Sequence, residues 1–254
     1  MRLILVLILA LLPTFSMADE EEIVLGLSQN RVAITARFDG SDIFLFGAVK
    51  RETTIPEGNL EVIVAIEGPS GPVKVRLKER RYGIWINATE LEVDRAPSFY
   101  AVATSGPLTQ VLKSIENQRH KITVERAIRN VGAPAEIKDV QAFTDAVIRI
   151  QENNGSYLLL ENAVEVDQQT LFRTSIALPS NLTEGDYRAR IFLTRDGKVV
   201  SRFETSIDVR KVGLERFLYK LAQEQAPIYG ILSILMAVFA GWGASALFRL
   251  VRDR

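Results

Sequence analysis

"GDYRARIFLTRDGKVVSRFETSIDV", residues 185–209, is the stretch whose reading decides the fold. At its centre stand Arg195, Asp196, Gly197 and Lys198. Asp-Gly between two strand-like runs is the signature of a two-residue hairpin turn, because both central positions require positive φ. Working outward, "SYLLLENAVEV" and "LFRTSIALP" supply further strands, so residues 157–209 read as a set of short antiparallel strands.

"LPSNLTEGDYRARIFL" carries a second signal. An apolar strand, a polar turn and a Gly-x-Tyr opening resemble the tyrosine corner of immunoglobulin-like domains, where the phenol bonds back to nearby backbone. Tyr187 is therefore assigned a structural role. Residues 23–104 show the same two-residue period. "VAITARF" places Val32, Ile34, Ala36 and Phe38 on one face, and "DIFLFGAV" follows across Asp39-Gly40 as the second arm of a hairpin. "LEVIVAIEGP" gives Val62, Val64 and Ile66. "PVKVRLKER" alternates Val73, Val75 and Leu77 inward with Lys74, Arg76 and Lys78 outward. "YGIWIN" and "SFYAVATSGP" complete six strands. Between the two sets the period changes. Leu108, Val111, Leu112 and Ile115 fall at helical spacing, as do Phe143, Ala146, Val147 and Ile150, and the second helix is expected to end at Asn153-Asn154-Gly155. "KITVERAI" reads as a strand and "NVGAP" as a turn.

The chain ends are of another kind. "MRLILVLILALLPTFSMADEEE" has one basic residue, a ten-residue apolar core broken by Pro13, and small residues at Ser16 and Ala18. This is the layout of a secretory signal peptide cut after Ala18, too short to span a bilayer. The acidic run from Asp19 to Glu22 then reads as a disordered new N-terminus. Residues 226–248 contain no Asp, Glu, Lys or Arg and, as a helix, would run roughly 34 Å, enough to cross the hydrocarbon core. Tyr229 and Trp242 stand near its ends, and Arg249, Arg252 and Arg254 follow, a cytoplasmic basic tail. Ser233, Ala237, Gly241 and Ser245 recur every four residues, the spacing at which small side chains let two membrane helices approach. "RKVGLERFLYKLAQEQ" places Leu214, Phe217, Leu218 and Leu221 on one face of an amphipathic helix at the membrane surface.

Composition narrows the chemistry. Of 254 residues none is Cys and one is His, and formal net charge is +0. Disulfides, Cys-ligated metals and thiol nucleophiles are excluded, and nothing draws the chain to nucleic acid. His120, in "NQRHKI", reads as an exposed loop or helix-end residue. The three Asn-x-Ser/Thr triplets, at Asn87, Asn154 and Asn181, read as turns. No nucleophile elbow, phosphate loop or metalloprotease motif is present. No catalytic, cofactor-binding or metal-ligating residue is assigned.

"RDGKVV", "VRKVGLERFLYKLA" and the anchor's "YG…AGW" resemble an uncharacterised alphaproteobacterial transmembrane family (Alph_Pro_TM), over nearly the whole mature chain and most specifically from Arg195 to Trp242. That family has no established catalytic residues. Its members are often encoded beside permeases of the sulfite-exporter type, which implies an accessory role to a transporter.

The expectation is a mainly β protein with two immunoglobulin-like sandwich domains, short intervening helices and one C-terminal transmembrane helix. Its parts are a signal peptide (1–18), a first sandwich (19–106), a helix-containing second sandwich (107–210, its boundary falling between 105 and 135), a juxtamembrane helix (211–225), the spanning helix (226–249) and a tail (250–254). The body would be periplasmic and the tail cytoplasmic. The expected role is non-enzymatic, with the lipid bilayer and a membrane protein as partners and a homodimer through the spanning helix as an option. A tethered ligand-binding module using Tyr82, Trp85, Phe99 or Tyr100 is the alternative, and an enzyme working with carboxylates alone ranks last.

Overall fold

The computed structural model describes residues 21–35, 38–52, 54–131, 139–212 and 214–252. The expected signal peptide, Asp253, Arg254, Ala36 and most of the "NVGAP" turn lie outside these residues.

The strands are β1 (Glu22–Leu27), β2 (Arg31–Ile34), β3 (Ser41–Lys50), β4 (Leu60–Glu67), β5 (Ser70–Arg81), β6 (Ile84–Pro97), β7 (Tyr100–Thr104), β8 (Tyr157–Leu160), β9 (Glu165–Asp167), β10 (Leu171–Leu178), β11 (Gly185–Arg195) and β12 (Lys198–Lys211). They form a four-stranded sheet ordered β1-β3-β10-β9, a six-stranded sheet ordered β2-β12-β11-β4-β7-β8, and the separate hairpin β5-β6. Among the described residues four helices follow β7, α1 (Leu108–Val111), α2 (Ser114–His120), α3 (Val124–Ala127) and α4 (Val140–Asn153), and α5 (Leu214–Glu224) and α6 (Ala226–Arg252) come after β12.

Two apolar cores flank the six-stranded sheet. One lies between the two sheets and joins Ile43, Leu45, Phe172 and Ile176 to Val62, Val64, Ile191 and Ile207. The other lies on the opposite face, where Ile63, Ala65, Val102 and Phe192 meet Val75, Leu91 and Val93 of the hairpin and Phe143, Val147 and Ile148 of α4. The central strand β4 is therefore covered on both faces, which is why "LEVIVAIE" reads as an unbroken apolar run.

The Asp-Gly turn is as expected. Arg195 pairs with Lys198, and Asp196 and Gly197 hold φ of 49° and 74°. At the opposite end of the same strands Gly185 faces Val209, and Arg188 faces Glu67. The chain leaves for the anchor at this end, and the β5-β6 hairpin is rooted there too. A Cβ on Gly185 would lie 2.4 Å from Pro69 Cγ, so only glycine fits where the root passes β11.

Several expectations are corrected. A boundary near residue 106 does not separate two sandwiches, because β3 pairs with β10 and β4 pairs with β11. Both halves of the chain build both sheets. β2 and β3 are not a hairpin: β2 joins the six-stranded sheet, parallel to β12, while β3 joins the other. "SYLLLENAVEV" breaks at Asn162 (φ 58°) into β8 and β9, one in each sheet. "KITVERAI" contains the helical turn α3 rather than a strand. The two-residue period records which side of a strand is buried; it carries no information about the partner strand.

Candidate functional site

α6 is the most distinctive element. Its stretch Ala226–Ser245 is 20 residues long, roughly 30 Å, and none of it is buried within the protein. Ser233, Ala237, Gly241 and Ser245 all lie exposed along it. Ser233 Oγ donates to the carbonyl of Tyr229 at 2.8 Å, so its hydroxyl is satisfied within the helix and needs no water. A Cβ on Gly241 would meet nothing. α5 and α6 are separated only at Gln225, whose N–H still bonds Leu221 O at 3.1 Å. Pro227 follows in the first turn of α6, where a missing N–H costs no helical bond.

Two buried polar clusters stand out among the described residues of the body. In the first, Glu21 is clamped by two arginines. Arg195, from the β11-β12 turn, donates Nε to Glu21 Oε2 at 3.2 Å and Nη2 to Oε1 at 2.8 Å. Arg51 donates Nε to the same Oε1 at 2.6 Å. The remaining guanidinium N–H groups reach the carbonyls of Pro56, Gly58 and Gln169 and the Thr170 hydroxyl. Burial alone would raise the Glu21 pKa; the hydrogen bonds from Arg195 and Arg51 outweigh it and hold the carboxylate below its usual range. The acidic run after the expected cleavage point is thus structured at Glu21, contrary to expectation.

The second cluster ties α2 to the sheet. Arg190 donates Nη2 to Tyr100 Oη at 2.7 Å and Nη1 to His120 O at 3.0 Å, and Tyr100 Oη donates to Ile122 O at 2.7 Å. Desolvation pushes the Tyr100 phenol up to about 12. His120 is the last residue of α2, ahead of the C-cap Lys121, but it is mostly buried, with Nε2 3.5 Å from Glu116 Oε2 one helical turn back. Burial lowers its pKa, against the pull of Glu116. These contacts end on backbone carbonyls or ion-pair partners and act as struts. Among the described residues no group of three His, Asp or Glu side chains could hold a metal ion.

Two surface features stand out among the described residues. On the outer face of the four-stranded sheet, Val24, Phe46, Ala48 and Leu171 floor a groove of about 690 Å³, edged by Arg173 and Glu165, whose Nε and Oε2 are 2.7 Å apart. Sequence reading missed this face. Its signal was present in "DIFLFGAV", where Phe44 and Phe46 stand opposite Ile43 and Leu45, making both faces of β3 apolar. The other feature is the tip of the β5-β6 hairpin, where Tyr82 and Trp85 are exposed; Phe99 and Tyr100, the other two aromatics expected at a ligand surface, are core residues at 1% exposure each. Leu77, expected inward, is exposed as well.

The sequence profile of the family described as "Putative transmembrane protein (Alph_Pro_TM)" matches residues 22–250. The chain belongs to this family. The match runs from β1 into α6, so the β body and the apolar helix form one family unit. No curated protein matches. A solved structure titled "Enterococcal surface protein, partial N-terminal region" is similar at 12% identity over 81% of this chain and 47% of that one, with a TM-score of 0.25. The chain spans about half the length of that structure, and so loose a likeness says nothing of function.

Proposed function

We propose that this family member is a non-enzymatic, single-pass inner-membrane protein that works by contact with a partner embedded in the same bilayer, as an accessory or scaffold subunit of a transporter or membrane complex. Its body stands in the periplasm and its arginine tail in the cytoplasm. The tyrosine corner and the face-to-face sheets support reading that body as an immunoglobulin-like sandwich elaborated by a hairpin and helices. The observation that carries the role is α6, which finds no packing within the body and offers an exposed face of Ser233, Ala237, Gly241 and Ser245 to another helix. The sulfite-exporter-type permease implied by the family resemblance is the first candidate.

A photocrosslinker at Ala237 in native membranes tests this. The expected product is an adduct with a multi-pass membrane protein, diminished by Gly241→Leu. An adduct with a second copy alone would make the protein a homodimer instead, and adducts with lipid only would defeat the reading. The second reading, a tethered ligand-binding module, draws support from the groove on the four-stranded sheet. It would gain if the purified protein showed no adduct but its melting temperature rose with an apolar ligand.

A further inference from the structure

The β5-β6 hairpin is much longer than its packing requires. Its outermost pair buried on both strands is Val75 and Leu91. From Val75 to Arg81 the strand runs on for roughly 20 Å at about 3.3 Å per residue, with no buried side chain beyond Val75. The turn is tight, with Arg81 paired to Ile84 and φ of 51° at Tyr82 and 86° at Gly83. An isolated two-stranded ribbon in water gains nothing by exposing apolar groups, yet Tyr82 is 104% exposed, Trp85 68% and Ile84 64%.

The charge around these residues is one-sided. Lys78, Arg80 and Arg81 flank the tip against a single acid, Glu79, which Arg81 holds at 3.0 Å. Further down, Glu90 and Glu92 neutralise Lys74 and Arg76. Positive charge is thus left unbalanced at the tip of a chain whose formal net charge is +0. Tyr and Trp with Lys and Arg is the combination that settles at the headgroup level of an anionic bilayer. The hairpin is also rooted at the end of the six-stranded sheet from which β12 leads to the anchor.

We propose that the β5-β6 tip is a second membrane contact, seating Tyr82, Ile84 and Trp85 at the headgroup level of an anionic lipid surface with Lys78 and Arg80 against its phosphates. The anchor holds the body to the bilayer; the tip would fix how the body is oriented on it. No protein partner is needed, so this stands or falls separately from the proposed accessory role.

The test uses the full chain in vesicles. The sequence has two Trp, so Trp242→Phe leaves Trp85 as the only reporter. In phosphatidylcholine vesicles containing phosphatidylglycerol, Trp85 emission should shift to the blue and be quenched by brominated acyl chains. Both effects should be lost without phosphatidylglycerol, in high salt, and in Lys78→Glu/Arg80→Glu. If that variant fails to fold, the salt titration of the parent protein decides alone. Water-like, unquenched emission in every vesicle would overturn the proposal, as would equal quenching with and without anionic lipid. Shielding of Trp85 in native membranes but in no vesicle would also overturn it, in favour of a protein partner.

Discussion

Tyr187 Oη donates to the carbonyl of Thr183 at 2.9 Å while its ring packs against Phe99, centroids 6.1 Å apart. This contact was legible in sequence because its two ends are four residues apart. Tyr187→Phe removes the donor and leaves a half-buried acceptor, so we expect a loss of about 1–2 kcal/mol, read as a lower urea midpoint with unchanged slope. Glu21 was not legible. Its arginine partners lie 30 and 174 residues away, and no local pattern connects them. Because folding depresses the Glu21 pKa below its ordinary value of 4.5, the stability it contributes is complete above that value and fades as pH falls through the lower, folded one. Glu21→Gln leaves two buried guanidinium groups uncompensated. It should cost about 3 kcal/mol or more at neutral pH and flatten the acid limb of stability. Parallel acid limbs for the two proteins, followed by denaturant midpoints against pH, would show that the clamp does not govern that limb.

At the scale of elements, the signals that held were those with a local physical cause. α4 ends where the Asn153-Asn154-Gly155 run placed it: Gly155 N–H bonds Glu152 O and Ser156 N–H bonds Gln151 O, both at 2.9 Å, around Gly155 at φ 68°. These are the paired bonds of a Schellman motif. Gly155→Ala forces a side chain into that left-handed position and should cost about 1 kcal/mol, measured as a drop in melting temperature. The apolar helix was equally plain, since twenty uncharged residues are recognisable without a fold. "KITVERAI" misled because β-branched residues suit a strand, whereas the structure makes a single helical turn over Val124–Ala127 with Ile122 and Ile128 buried in the second core on either side of it. "YGIWIN" holds a turn and only the start of the longer strand β6. Its turn, at Tyr82-Gly83, was hidden by a non-glycine residue at positive φ, which sequence rules expect to be Asn, Asp or Gly.

For the whole molecule, the sheets make the two halves of the chain interdependent. Residues 19–106 expressed alone would leave β3 without β10 and β4 without β11, and residues 107–210 would lose the same pairings. Neither half should fold, while co-expression of the two should restore protection from protease. A folded, protease-resistant 19–106 fragment would instead favour two independent sandwiches. What the sequence settled alone was everything set by near neighbours: the β character from its two-residue period, the Asp-Gly turn, the tyrosine corner, the helix cap and the membrane-length run without charge. What only the tertiary structure decided was pairing and exposure: which sheet each strand joins, the burial of Glu21, the second core beneath the hairpin, and the aromatics left in the open. The reason is physical. Turns and caps are local equilibria of a few residues, whereas strand partners and burial depend on chain segments brought together only by folding.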